Sequence, residues 1–70
     1  MDLKQEIGKI IKSRRKELNM EQVDLQDYAE VGSTTISKLE NGKLNITIDS
    51  LERIMEVLGL ELTLKVKQKI

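Results

Sequence analysis

Residues 35–43 read TISKLENGK, and this short segment decides the fold. Ile36 and Leu39 are three residues apart, so a helix places both on one side and leaves the other side polar. The Asn-Gly pair near its end is typical of a left-handed stop, because glycine adopts a positive φ without steric cost. The pattern predicts a short helix over residues 34–41 whose polar outer face carries few charges.

Apolar residues recur at helical spacing in three other segments: residues 3–18, residues 22–29 and a segment that ends near residue 58. The expected buried positions are Leu3, Ile7, Ile10 and Ile11 in the first segment, Val23, Leu25, Tyr28 and Ala29 in the second, and Leu51, Ile54, Met55 and Leu58 in the last. Tyr28, Met20 and Met55 are interpreted as core or core-edge residues. Four helices are therefore expected in the first 59 residues.

The helix ends carry their own signals. Gly32 is expected to give the backbone freedom for a tight turn, and Ser33 or Thr34 can cap the helix that follows it. Thr47 or Asp49 can cap the last helix. A glycine at position 59 is expected to end that helix.

After residue 59 the apolar residues alternate with polar ones, which is the pattern of a β-strand. The apolar side consists of Leu60, Leu62, Leu64 and Val66. A single strand cannot satisfy its own hydrogen-bonding groups, and the sequence holds no second strand-like segment. The expected partner is the same strand of a second subunit, paired antiparallel, which would make these four residues a dimer interface. An edge strand covered by the chain's own helices is the alternative.

Composition narrows the function. A 70-residue chain forms one domain, and without cysteine or histidine it cannot use disulfides, the usual zinc ligands or imidazole catalysis. No nucleophile, metal set or phosphate loop is visible, so neither an enzyme nor a cofactor is expected. No signal peptide or membrane-spanning run is evident, which predicts a soluble cytoplasmic protein.

The formal net charge is zero, yet the charges are segregated along the sequence. Basic residues crowd the first quarter of the chain: Lys4, Lys9, Lys12, Arg14, Arg15 and Lys16. An acidic stretch follows between residues 21 and 30. The basic segment is either an ordinary solvated helix face or a surface for phosphate contact.

Residues 7–59 resemble the Cro/repressor (XRE) family of helix-turn-helix domains. The motifs that carry the resemblance are Ile7-Gly8, Arg14-Arg15, QVDL at 22–25, TISKLENGK at 35–43, LERI at 51–54 and VLG at 57–59. Beside the dimerisation tail that the strand pattern predicts over residues 60–70, the resemblance implies an all-α, lambda-repressor-like bundle of four to five helices over residues 1–59. It also implies a homodimeric, sequence-specific repressor that binds double-stranded DNA at a pseudo-palindromic operator.

The family's functional positions can be carried over residue by residue. The resemblance assigns base reading to Ser33, Thr34 and Lys38, and it assigns phosphate contact to Lys12, Arg14, Gln22, Ser37, Asn41 and Lys43. Arg15 and Glu40 match a partly buried salt bridge between the first and third helices. The chain departs from the family at Glu21, Gln26 and Glu30, where Ser or Thr, Ala and Gly are usual.

The tail carries a second resemblance. Residues 59–67, GLELTLKVK, are similar to the end of HipB-type antitoxins, where a C-terminal strand pairs between subunits. This implies an alternative function, an antitoxin that neutralises a protein toxin and autoregulates its operon.

Overall fold

The computed structural model describes residues 2–43 and 45–67. Within them the chain forms four helices, namely α1 (Leu3–Glu17), α2 (Gln22–Ala29), α3 (Ser33–Glu40) and α4 (Ile48–Leu58). The four predicted helices are confirmed, with ends close to the expected ones. The last three residues of the predicted tail, 68–70, lie outside the described residues.

The helices form a bundle in which α1 and α2 each pack against both α3 and α4. The core consists of Ile11, Leu25, Ala29, Ile36, Leu39, Leu51, Ile54 and Leu58. Every helix contributes to it, so burial of these side chains holds α3 in a fixed orientation on the other three helices.

Several helix ends have specific caps. Asp2 accepts a hydrogen bond from the Gln5 amide at 2.9 Å, and Gln5 accepts one from the Asp2 amide at 3.2 Å, so a capping box begins α1. Thr47, and not Asp49, caps α4 by accepting from the Ser50 amide at 3.1 Å. Gly59 ends α4 with a φ of 68°, as predicted.

The turn between α2 and α3 differs from the prediction. Glu30 is the left-handed residue, with a φ of 57°, whereas Gly32 has an ordinary φ of −72°. The chain reverses at the C-cap of α2, where the Val31 amide donates to the Gln26 carbonyl at 3.2 Å. The left-handed residue is therefore Glu30 and not Gly32. The predicted cap at Ser33 or Thr34 is also wrong, because Gly32 is the N-cap and both residues already lie inside α3.

Four residues predicted to be buried are exposed. Leu3 is 67% exposed, Ile10 56%, Val23 54% and Tyr28 71%. The apolar stripes on α1 and α2 are wider than the surfaces that pack on them, and only their centres, such as Ile11, reach the core. Two apolar surfaces therefore remain uncovered on the single chain.

Residues 60–67 form no strand in the single chain. Leu60 packs against the core, but exposure then increases along the apolar side, to 51% at Leu62, 89% at Leu64 and 93% at Val66. Within residues 2–43 and 45–67 no second strand lies beside this segment, so its main chain has no partner there for a ladder. The alternative of a strand covered by the chain's own helices is wrong for Leu64 and Val66.

Candidate nucleic-acid interface

The outer face of α3 is polar and open. Ile36 and Leu39 anchor the helix in the core, and helical geometry turns the residues at positions 33, 34, 37, 38 and 41 to the opposite side. We call this set the α3 outer face: Ser33, Thr34, Ser37, Lys38 and Asn41. Ser37 is half-buried and the other four are exposed. An exposed helix of this kind has the dimensions to enter a DNA major groove.

The chemistry of the α3 outer face suits base edges and phosphates. It offers hydroxyl groups, an amide and one ammonium group, and it contains no carboxylate. Neither Ser33 nor Thr34 caps α3, and within the described residues their hydroxyl groups have no hydrogen-bond partner. These groups are therefore free to bind an external ligand.

Behind this face, a buried ion pair joins α1 to α3. Arg15 donates to Glu40 from Nε at 2.6 Å and from Nη2 at 3.0 Å, and the two side chains are 6% and 1% exposed. The hydrogen bond from Arg15 to Glu40 raises the pKa of Arg15 above its ordinary value. Arg15 also donates from Nη1 to the Met20 carbonyl at 2.7 Å, and this hydrogen bond holds the segment between α1 and α2 against α1. The salt bridge implied by the resemblance is present.

Gln22 belongs to the same network. Its Nε2 donates to Oε1 of Glu40 at 3.1 Å, although the residue as a whole is exposed. This bond links the first residue of α2 to the last residue of α3, and the sequence analysis missed it. The assignment of Gln22 to phosphate contact stays a prediction.

Gly8 allows α1 and α3 to touch through their main chains. A Cβ atom at this position would lie 2.9 Å from the Glu40 carbonyl oxygen, and it would overlap the Leu39 carbonyl oxygen even more severely. Only glycine permits so close an approach. The signal in the sequence is a glycine within a helical pattern, which often marks close packing.

A helix-turn-helix family model of the XRE type matches residues 11–65. The chain belongs to the XRE-type helix-turn-helix family. The match includes α2, α3, α4 and the C-terminal part of α1, so it covers the α3 outer face described above. Membership of this DNA-binding family indicates a transcription regulator. A search of curated proteins finds no match, and no helix in the described part of the chain is long and apolar enough to span a bilayer.

All three arginines of this XRE-type protein bind main-chain carbonyl groups. Arg14 Nε donates to the carbonyl of Leu58, the last residue of α4, at 2.8 Å. Arg53, which the sequence analysis did not single out, donates from Nε to the carbonyl of Ala29, the last residue of α2, at 3.1 Å. Helix ends leave such carbonyls without partners, so these bonds have a structural role. The assignment of Arg14 to phosphate contact stays a prediction.

Three lysine side chains of this XRE-type protein are predicted to contact DNA. Lys12, Lys38 and Lys43 are exposed, on α1, on α3 and just after α3 respectively. The Lys43 amide donates to the Lys38 carbonyl at 2.9 Å, which holds the two residues at one end of α3 together with Asn41. The structure thus brings together three of the predicted DNA-contacting residues at that end.

Proposed function

We propose that this protein is a sequence-specific transcriptional repressor that binds a pseudo-palindromic operator as a homodimer. The observation that carries the proposal is the α3 outer face, a continuous polar surface without a carboxylate, held outward by buried Ile36 and Leu39. An ordinary solvated helix face would be expected to carry several acidic side chains. A face that lacks them avoids repulsion from the phosphate backbone.

In the proposed complex, α3 lies in the major groove. Ser33, Thr34 and Lys38 contact base edges, because the N-terminal part of a recognition helix reaches them in helix-turn-helix complexes. The proposed phosphate contacts come from Lys12, Arg14, Gln22, Ser37, Asn41 and Lys43. Phosphate contacts position the protein, whereas base contacts select the sequence.

A homodimer would present two α3 helices to neighbouring major grooves, about 34–36 Å apart. We assign dimerisation to the tail over residues 60–70 and DNA binding to residues 1–59. The exposed apolar side chains of Leu62, Leu64 and Val66 support this assignment, since a second tail could cover them. Replacing Leu62 and Leu64 by aspartate should give monomers with weaker DNA binding, as measured by sedimentation and gel shift.

The decisive experiment is a selection from random DNA duplexes on the purified full-length protein at low ionic strength. We expect enrichment of one sequence with two-fold symmetry, and an affinity that decreases steeply as salt is added. A selection that enriches no sequence, although the protein is folded by circular dichroism, would contradict the proposal.

An antitoxin is the second candidate, and one observation favours it. Tyr28 and Val23 are exposed on α2, and Tyr28 lines a shallow hollow together with Met20 and Val57. This apolar surface is formed by α2, α4 and the segment between α1 and α2, and it includes no residue of the α3 outer face, so it could contact another protein. Co-expression with the product of an adjacent toxin gene should restore growth, and Tyr28→Ser should abolish the rescue while operator binding persists. No rescue by the unaltered chain would rule out this function.

A further inference from the structure

We propose that two tails pair as antiparallel strands with Thr63 on the two-fold axis, and that their apolar side covers the groove between α1 and α4. The proposal rests on the homodimer proposed above and specifies its interface. Two observations support this interface: the order of side chains along the tail, and the apolar surface next to the start of the tail.

With Thr63 on the axis, every side chain from residue 60 to residue 66 faces a suitable partner. Leu60 faces the partner's Val66, and Leu62 faces the partner's Leu64. On the other side, Glu61 faces the partner's Lys65, and symmetry makes this ion pair twice. Opposite residues of an antiparallel pair share one side of the sheet, so all apolar residues lie on one side and both ion pairs on the other.

The neighbouring registers are worse. An axis between two residues would place apolar side chains opposite polar ones, because side chains alternate along a strand. An axis at Lys65 places two like charges opposite each other. An axis at Leu64 is the best alternative register, because it pairs Glu61 with the partner's Lys67. However, it moves Leu60 away from the partner's Val66.

The apolar side of the paired tails has an apolar groove beside it, against which it can pack. Leu60 and Leu62 line one hollow together with Ile7, Ile10 and Met55. A neighbouring hollow continues along α4 to Ile48. Both Ile48 and Ile10 are largely exposed, at 70% and 56% respectively. This continuous surface, lined by Ile7, Ile10, Ile48, Met55, Leu60 and Leu62, is called the α1–α4 groove.

The partner's tail fits this groove in the proposed register. Within residues 60–67, Leu64 and Val66 are the least covered apolar residues, and the register sets them beside the other subunit's Leu62 and Leu60, which line the groove. The apolar side of a second tail can cover this apolar groove, and the charges of Glu61 and Lys65 are complementary across the two-fold axis. A second copy of this chain is therefore the occupant that the chemistry favours.

Charge reversal tests the register. Sedimentation velocity of the full-length protein over a concentration series, at low salt, should show that Glu61→Lys or Lys65→Glu weakens the dimer by about tenfold, since each creates two like-charge contacts. The double variant should recover the affinity of the unaltered dimer. Lys67→Glu is the matched control and should change the dissociation constant less than about twofold.

Two further variants check the axis and the groove. The sequence has no cysteine, so Thr63→Cys should oxidise to a disulfide-linked dimer, while Lys67→Cys should not. Ile10→Ser alters the groove outside the tail and should weaken the dimer several-fold without loss of helix content.

Each contrary result is informative. Rescue of Glu61→Lys by Lys67→Glu in place of Lys65→Glu would overturn the register in favour of an axis at Leu64. An unchanged dimer in Ile10→Ser would overturn the assignment of the groove. A monomeric wild-type protein at micromolar concentration would overturn the whole inference. None of these measurements involves DNA, so failure of the operator selection is distinguishable from failure of the dimer.

Discussion

Arg15 and Glu40 share two hydrogen bonds inside the protein, although they are 25 residues apart in the sequence. Glu40 is the last residue of α3, and its carboxylate also accepts a hydrogen bond from Gln22, so one side chain connects three helices. The α3 helix is therefore fixed at its C-terminal end by a buried ion pair as well as by apolar packing.

Removal of one partner should leave the other charge buried without compensation. We expect Glu40→Ala to destabilise the protein by about 3–5 kcal/mol, measured by urea unfolding. The double variant Arg15→Met/Glu40→Leu serves as the control. It removes both charges and should be clearly more stable than the single variant. Equal stabilities would show that the pair matters for its packing and not for its charge.

Gly8→Ala should destabilise the protein even though alanine is the better helix former. The added methyl group would meet the main-chain carbonyls of Leu39 and Glu40, which a side-chain rotation cannot relieve. We expect a loss of about 1–3 kcal/mol in thermal or urea unfolding. Ser13→Ala, at an exposed site on the same helix, should stay within about 0.5 kcal/mol of the original. A stabilised Gly8→Ala variant would show that α1 and α3 do not approach so closely.

Glu30→Gly should stabilise the protein by about 0.5–1 kcal/mol, because a residue with a side chain is strained at a φ of 57°. Asn19 has a similar φ of 56°, and it provides the comparison. Asparagine tolerates the left-handed region better than glutamate, so Asn19→Gly should gain less. Unfolding midpoints of the two variants measure the difference, and a larger gain at Asn19 would contradict the strain at Glu30.

Two exposed lysines should separate base reading from phosphate contact. Lys38→Ala should reduce operator affinity by about 1–3 kcal/mol and relax selectivity at one base-pair position. Lys43→Ala should weaken binding to all sequences alike and lower the salt slope by about one. Fluorescence anisotropy with operator and scrambled duplexes, each at several salt concentrations, tests both. If Lys38→Ala weakened the two duplexes equally, Lys38 would be a phosphate contact.

The helices were predictable because their signals are local. The spacing of Ile36 and Leu39 sets the orientation of α3, and Gly42 and Gly59 mark two helix ends by their positive φ. Periodicity shows which side of a helix is apolar, but it does not show how much of that side is covered. This explains why Ile11 is buried while its neighbour Ile10 remains exposed.

The supporting contacts of the site were less predictable. The hydrogen bond from Arg14 to the Leu58 carbonyl joins residues 44 positions apart, and no local sequence pattern predicts it. The left-handed conformation of Glu30 was also missed, because sequence reasoning placed the backbone freedom at Gly32. The tail showed clear alternation, yet a strand depends on a partner that a single chain does not supply.

The α3 outer face contributes almost nothing to the core, whereas the opposite side of the same helix contributes Ile36 and Leu39. The proposed recognition surface is thereby separated from the residues that keep the protein folded. A mutant library confined to the five codons of the outer face would vary target preference on a constant scaffold. Duplication and divergence of the gene could follow the same route to new binding sites.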